Sequence, residues 1–166
     1  YAAKHPQRVR RIVLLGAFAR GWAHRSTPEQ LARREAMLTL TRSGWDEDNP
    51  AFRQLFTSLF IPDADAEAQH WFNTTQRLST NAENAYAIQR CGADLDVDHL
   101  VAQVKAPTLV THSRYDNVSP LEQGRLIATS IPNAHFVTLD SENHILLPNE
   151  PASAKFVDEV EAFLEL

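Results

Sequence analysis

Apolar residues follow two different periodicities along the chain, and these divide it into three parts. Residues 11–16, RIVLLG, form a compact β-branched run ended by glycine, a pattern typical of a strand buried on both faces of a parallel sheet. From residue 27 to about residue 98, polar helix formers carry apolar residues at spacings of three and four. This middle part is predicted to contain two or three helices.

Local signals mark the ends of these helices. Residues 27–30, TPEQ, supply an N-cap threonine, a proline at the first helical position and an acidic first turn. Residues 49–50, NP, and 61–63, IPD, are the expected breaks. Apolar residues crowd one side of the helix between the breaks, which favours interior or cap packing over a substrate-contacting surface: Phe52, Leu55, Phe56, Leu59 and Phe60.

The last third alternates between strand and helix patterns. Residues 107–111 and 134–139 are strand-like, whereas residues 120–131 and 150–164 have helical spacing. Strands separated by helices imply parallel pairing through right-handed crossovers. The predicted class is therefore α/β, with about three parallel strands, flanking helices and a mostly helical insertion between the first two strands.

Composition narrows the classes of partner. The chain has 166 residues, 43% of them hydrophobic and 22% charged, as expected for one globular domain. Its net charge of −5 argues against direct binding of nucleic acid or anionic lipid. No apolar run approaches the roughly 18 residues needed to span a bilayer. A single cysteine, Cys91, excludes an internal disulfide and fits a cytoplasmic setting.

Two ionisable residues follow neighbouring strands of the predicted sheet. Asp116 comes just after the strand at residues 107–111, and His144 comes just after the strand at residues 134–139. The carboxyl ends of parallel strands meet at one edge, so we expect a carboxylate that orients an imidazole. Such a pair supports catalysis when the second ring nitrogen faces a nucleophile or an activated water. The alternative is a salt-linked pair that caps a loop.

Other candidate residues carry weaker signals. Asp140 is the second choice for the acid, and Glu142 is a rival carboxylate. His112 is expected to pack within its strand end, and Cys91 is expected to be a small packed residue and not a nucleophile. Asp116, His112 and His144 could be interpreted as a metal site, but no ligand pair at metal-binding spacing supports one. Neither a metal nor another cofactor is predicted.

Two segments of the chain resemble a known family of proteins. Residues 1–16, YAAKHPQRVRRIVLLG, resemble the helix after the nucleophile elbow of an α/β-hydrolase and the sixth strand of its sheet. The segment from APTLVTHSRYDN to VEAFL resembles its last two strands and helices. In that family the acid follows the penultimate strand and the histidine follows the last, which matches Asp116 and His144.

The resemblance implies the C-terminal portion of an α/β-hydrolase domain. Residues 1–26 would hold the end of the post-elbow helix and a strand, residues 27–98 a helical cap that shapes the acyl pocket, and residues 99–166 the last two strands with the acid and the histidine. The implied activity is that of a serine hydrolase acting on an ester, amide or similar small acyl substrate.

The sequence departs from the family pattern in two ways. None of the five glycines begins a G-x-S-x-G elbow, so the resemblance implies a nucleophilic serine upstream of Tyr1. The chain is therefore expected to be a fragment of a longer protein and to be inactive alone. Ser113 also stands where the family often has glycine, three residues before the acid.

A narrower resemblance suggests an alternative function. Residues 44–64, 71–85 and 139–152 resemble hydrolase-like domains that bacterial regulators join to a LuxR-type helix-turn-helix or to an adenylate cyclase domain. The resemblance implies a domain that senses a small molecule, with little or no turnover. Neither a helix-turn-helix nor a cyclase signature occurs within these 166 residues.

The first strand has a further consequence for association. An apolar strand edge between Arg11 and Gly16 would invite pairing with a second chain if it were left without a neighbour. We therefore expect self-association through this edge. The alternative is a stable three-stranded monomer in which the N-terminal residues cover the edge.

Overall fold

A computed structural model describes residues 1–165 of the chain. Three strands occur within them: β1 (Ile12–Leu15), β2 (Thr108–Ser113) and β3 (Ala134–Leu139). The helices in the same residues are α1 (Pro28–Gly44), α2 (Ala51–Phe60), α3 (Ala66–Ser79), α4 (Ala82–Asp94), α5 (Asp98–Val101), α6 (Leu121–Ser130) and α7 (Pro151–Glu165). Short 3-10 helices lie at Pro6–Arg8 and Trp22–His24.

The chain divides into two compact units. The first, here called the sheet unit, comprises Tyr1–Ala19 and Val97–Leu166. The second, the helical unit, comprises Arg20–Asp96 and contains α1 to α4. The function of residues 27–98 as a cap that shapes an acyl pocket stays a prediction.

The described strands form one parallel sheet in the order β1-β2-β3. Thr108 of β2 lies opposite Ile12 on one side and Ala134 on the other, so β2 is the central strand. All six of its residues are buried. The α/β class with three parallel strands and flanking helices is confirmed, because helices connect consecutive strands and parallel pairing requires such crossovers.

The two faces of the sheet support separate hydrophobic clusters. Neighbouring residues of β2 point to opposite faces, so Val110 belongs to one cluster and Leu109 to the other. The first cluster contains Ala19, Val101, Val110, Ile127 and Ile131. The second contains Leu109, Val137, Leu139 and Ala152, with Phe156, Val160 and Phe163 of α7 packed against it.

Strand β1 differs from the prediction in its degree of burial. Residues 11–16 were expected to be buried on both faces, but every residue of β1 is only half-buried. Its side chains do contact both clusters, Leu14 on one face and Val13 and Leu15 on the other. Among the described strands, however, β1 pairs with β2 alone, so less of its surface is covered than that of β2.

Capping side chains mark the starts of helices in the helical unit. The Thr27 side chain accepts a hydrogen bond from the backbone N–H of Gln30, and the Gln30 side chain accepts one from Thr27 N–H, which confirms the predicted start of α1. The unit has four helices in the described residues, so the prediction of two or three is wrong. The missed start is at Asn81, which caps α4 in a segment without proline or glycine.

Polar side chains occupy buried positions of the helical unit. On α2 the buried residues are Arg53 and Thr57, whereas Phe52 and Leu55 are exposed. The expectation that the whole apolar side of α2 packs inside is therefore wrong in part. Phe56 and Phe60 do stack on each other, with ring centroids 4.1 Å apart, and Phe60 lies near Phe72. No helix within residues 1–165 is long and apolar enough to cross a membrane.

Candidate active site

Asp116 and His144 lie in the two loops that leave the carboxyl ends of β2 and β3. These strands are neighbours, with Ser113 opposite Leu139 at their ends, so the two loops meet at one edge of the sheet. Asp116 Oδ2 lies 2.6 Å from His144 Nδ1. The aspartate side chain is fully buried, whereas the imidazole is 19% exposed. The structure therefore brings together the two residues selected from the sequence.

Backbone groups hold the carboxylate in place. Asp116 Oδ1 accepts hydrogen bonds from the backbone N–H groups of Val118, at 2.7 Å, and Ser119, at 3.0 Å. Such bonds to an ionised carboxylate are stronger than bonds between neutral groups. One oxygen is thus tied to its own loop, which leaves the other directed at the imidazole.

His112 is buried near the same carboxylate. Its Nε2 lies 2.8 Å from the carbonyl oxygen of Ser119 and 3.7 Å from Asp116 Oδ2. The ring also lies against Gly124, where an added Cβ would be 2.5 Å from His112 Nδ1. The expectation that His112 packs within its strand end is confirmed.

Gly16 is a site residue whose contact the sequence did not indicate. It follows β1 directly, and its φ of 61° lies in the left-handed region that favours glycine. A Cβ at this position would lie 2.7 Å from His144 Cε1 and 2.9 Å from Nδ1. Glycine therefore allows the backbone to approach the imidazole. The sequence does show a glycine at the end of RIVLLG, but no local pattern indicates that Gly16 contacts His144.

The rival candidates have other surroundings. Asp140 has an exposed side chain and lies 3.6 Å from Arg114 Nε, and Glu142 is exposed. Cys91 is exposed on α4, so the prediction of a packed cysteine is wrong; its position faces solvent although its neighbour Ala93 is buried. Among residues 1–165, no group of three or more histidine, cysteine, aspartate or glutamate side chains could hold a metal ion.

The arrangement suits general-base chemistry. A carboxylate that accepts a hydrogen bond from Nδ1–H fixes the tautomer of the imidazole and stabilises the imidazolium ion. The opposite ring nitrogen, Nε2, is then the atom able to take up a proton during a reaction.

Comparison with known proteins identifies the family of the chain. The sequence profile of the TAP-like protein family of α/β-hydrolases matches residues 76–165, a segment that includes both loops. The chain belongs to this family. As a TAP-like α/β-hydrolase, it carries the last strands of the hydrolase sheet, and the three-stranded parallel sheet matches a C-terminal portion of that fold.

Two solved structures share the fold of this TAP-like chain. The enol-lactonase from Burkholderia xenovorans LB400 superposes with a TM-score of 0.76 at 22% identity, covering 99% of this chain and 60% of that one. An esterase from Exiguobacterium antarcticum gives a TM-score of 0.78 at 18% identity, covering 99% and 62%. At these identities the likeness concerns the fold.

A curated relative aligns with almost the whole chain. The pimeloyl-[acyl-carrier protein] methyl ester esterase of Neisseria meningitidis serogroup C is 27% identical over 167 residues, which cover 99% of this chain and 61% of the relative. The chain thus spans between half and about three-fifths of the length of the curated relatives it matches.

Proposed function

We propose that Asp116 and His144 are the acid and the base of a serine hydrolase that cleaves an ester, amide or similar small acyl substrate. The observation that carries the proposal is the 2.6 Å contact between a buried carboxylate and a partly exposed imidazole. Its nucleophile would be a serine upstream of Tyr1, on a longer parent chain. Relatives named as an esterase and a lactonase support ester chemistry.

In the proposed reaction, His144 transfers protons between serine and the leaving group. Nε2 takes the proton of the serine hydroxyl while the serine oxygen attacks the acyl carbonyl. Asp116 remains ionised and stabilises the imidazolium that forms. The imidazolium then gives the proton to the leaving alcohol or amine, and the acyl-serine ester is hydrolysed by a water that His144 activates in the same way.

Hydrolysis of short p-nitrophenyl esters tests this function. The assay compares the full-length parent, its His144→Ala variant and the 166-residue chain. We expect activity in the parent and loss of activity in the other two, because one lacks the base and the other lacks the serine. Activity that persists in His144→Ala would show that His144 is not the base of the reaction.

The sensing alternative makes a different prediction for the same parent. If the domain only binds a small molecule, the parent would show no turnover of p-nitrophenyl esters or of other acyl substrates. The upstream sequence adds a second criterion, since a serine within a G-x-S-x-G elbow favours turnover and its replacement favours sensing. Linkage to a LuxR-type or adenylate cyclase domain and a cytoplasmic location stay predictions.

We also propose that the isolated chain self-associates through β1. Within the described residues β1 pairs on one side only, and its apolar side chains are half-buried. An unpaired edge of this kind can template pairing with another chain. Size-exclusion chromatography with light scattering should show dimers or larger species, and monomer alone at high concentration would contradict this proposal.

A further inference from the structure

We infer that Ser113 and Glu150 are positioning residues for His144, a role that rests on the proposed function of that histidine. Neither side chain needs to touch the substrate. Together they hold the backbone immediately before the imidazole and the turn that follows it.

Glu150 closes the loop that carries His144. Its Oε2 accepts a 2.6 Å hydrogen bond from the hydroxyl of Ser141, three residues before the histidine. Its Oε1 accepts a 2.5 Å bond from the backbone N–H of Leu147, three residues after the histidine. The same oxygen lies 3.3 Å from Asn143 Nδ2. One carboxylate therefore links both sides of the loop.

Ser113 ties this loop to the strand that leads to the acid. Its hydroxyl donates a 2.6 Å hydrogen bond to the carbonyl oxygen of Asn143, the residue directly before His144. Both residues are buried. Ser113 precedes Asp116 by three residues, at the position where α/β-hydrolases often have glycine, a residue without a hydroxyl to make this bond. The bond thus connects the loop of His144 to the end of β2, three residues before Asp116.

Asn143 is the residue on which both contacts converge. Its N–H donates to Ser141 Oγ at 2.9 Å, its carbonyl accepts from Ser113, and its side-chain amide reaches Glu150. With the backbone N–H and carbonyl of Asn143 both held, the next residue has little freedom to rotate away from Asp116. A displacement of about 1 Å is enough to impair a catalytic contact, so this restraint bears directly on the base.

Proton NMR of the 166-residue chain tests the inference without a nucleophile or substrate. The observable is the downfield Nδ1–H resonance of His144, assigned by its absence in His144→Gln. In Ser113→Ala and in Glu150→Gln we expect this resonance to broaden or disappear, because the imidazole no longer keeps its bond to Asp116. Ser113→Gly, with the residue usual in the family, serves if Ser113→Ala fails to fold.

Two matched variants separate positioning from general stability. Glu142→Gln removes the same charge from the same loop at an exposed carboxylate, and Thr108→Val removes a buried hydroxyl bond, to the Ala106 carbonyl, at the far end of β2. Both should retain the resonance even if the melting temperature falls. A resonance retained in the Ser113 and Glu150 variants, or lost equally in the two controls, would overturn the inference.

Kinetics of the full-length parent provide a second readout. A misplacement of a reacting group by about 1 Å can lower the rate by about 100-fold. We expect Ser113→Ala and Glu150→Gln to lower kcat by that amount at nearly constant KM. A fall in kcat no larger than in Glu142→Gln and Thr108→Val would contradict the inference. If the wild-type parent lacks esterase activity, the proposed function fails, and the NMR result alone decides whether the residues position His144.

Discussion

The sheet unit and the helical unit both bury polar side chains beside apolar ones, but in different local structures. At the centre of the sheet unit, Leu109 and Val110 of β2 are fully buried on opposite faces. In the helical unit, Arg53 and Thr57 of α2 are buried, whereas Leu78 of α3 is 82% exposed. Burial on both faces of the sheet also covers four polar residues of β2: Thr108, Thr111, His112 and Ser113. Hydropathy alone therefore fails to predict burial in both units, wherever the folded chain supplies hydrogen-bond partners to a polar side chain.

The charged groups buried in the two units also differ. Asp116 has two backbone N–H donors and an imidazole as partners. Arg53 donates through Nη1 to the carbonyl oxygens of Trp45 and Glu47, while its Nε has no hydrogen-bond partner. Desolvation by burial lowers the pKa of the Arg53 guanidinium. The buried carboxylate of the sheet unit thus contacts a partly exposed imidazole, whereas the buried guanidinium of the helical unit holds the backbone that follows α1.

The largest expected effect concerns Asp116, the proposed acid. Asp116→Asn in the full-length parent should lower kcat for p-nitrophenyl esters by about 10³- to 10⁴-fold, because an amide no longer fixes the productive tautomer of His144. Asp140→Asn is the matched control, since the Asp140 side chain is exposed and pairs with Arg114. Steady-state kinetics measure both variants. A larger loss of kcat in Asp140→Asn than in Asp116→Asn would show that Asp140, and not Asp116, is the acid.

The next effect concerns the apolar interior of the sheet unit. Leu109→Ala removes a fully buried side chain from β2 and should lower the free energy of unfolding by about 2–5 kcal/mol. Leu126→Ala, at a half-exposed position of α6, should change it by less than about 1 kcal/mol. Urea denaturation measures both. Equal losses would show that burial in this unit does not decide stability.

A smaller effect is expected in the polar interior of the helical unit. The Thr57 hydroxyl donates to Asn73 Oδ1 and accepts from Gln76 Nε2, each at 2.7 Å. Thr57→Val keeps the volume but leaves both partners unsatisfied, at a cost of about 1–3 kcal/mol. Thr74→Val on the exposed side of α3 is the control. A variant as stable as the wild type would mean that water replaces the hydroxyl.

The smallest effect is expected on the exposed apolar surface of α3. Leu78→Ser should change the free energy of unfolding by no more than about 0.5 kcal/mol, as is usual for surface substitutions. The same urea denaturation experiment measures it. A loss of unfolding free energy comparable to that of Leu109→Ala would show that Leu78 is covered in solution. The contrast between buried Leu109 and exposed Leu78 would then be wrong.

Much of the sheet unit could be predicted from the sequence. The strand patterns gave the parallel sheet, and the positions after β2 and β3 gave Asp116 and His144, because neighbouring parallel strands end at one edge. The contact of Gly16 with His144 could not be predicted, since it depends on packing between residues distant in sequence. The bond from Ser113 to Asn143 could not be predicted either, because it depends on how the end of β2 meets the loop after β3.

The helical unit was harder to predict for physical reasons. Its first cap at Thr27 has a strong local signal, and it was placed correctly. The start of α4 at Asn81 has a single capping side chain and no helix-breaking residue before it, so the number of helices was underestimated. The burial of Arg53 follows from two backbone carbonyls that only the folded chain brings near it.

Covalent labelling with a fluorophosphonate tests the central claim, that Asp116 and His144 activate a serine, most directly. The full-length parent should be labelled on one serine, identified by mass spectrometry within a G-x-S-x-G segment upstream of Tyr1. The rate of labelling should fall at least about 10³-fold in His144→Ala, because the serine then lacks its base. No labelling of the parent, or labelling at the same rate in His144→Ala, would contradict the claim.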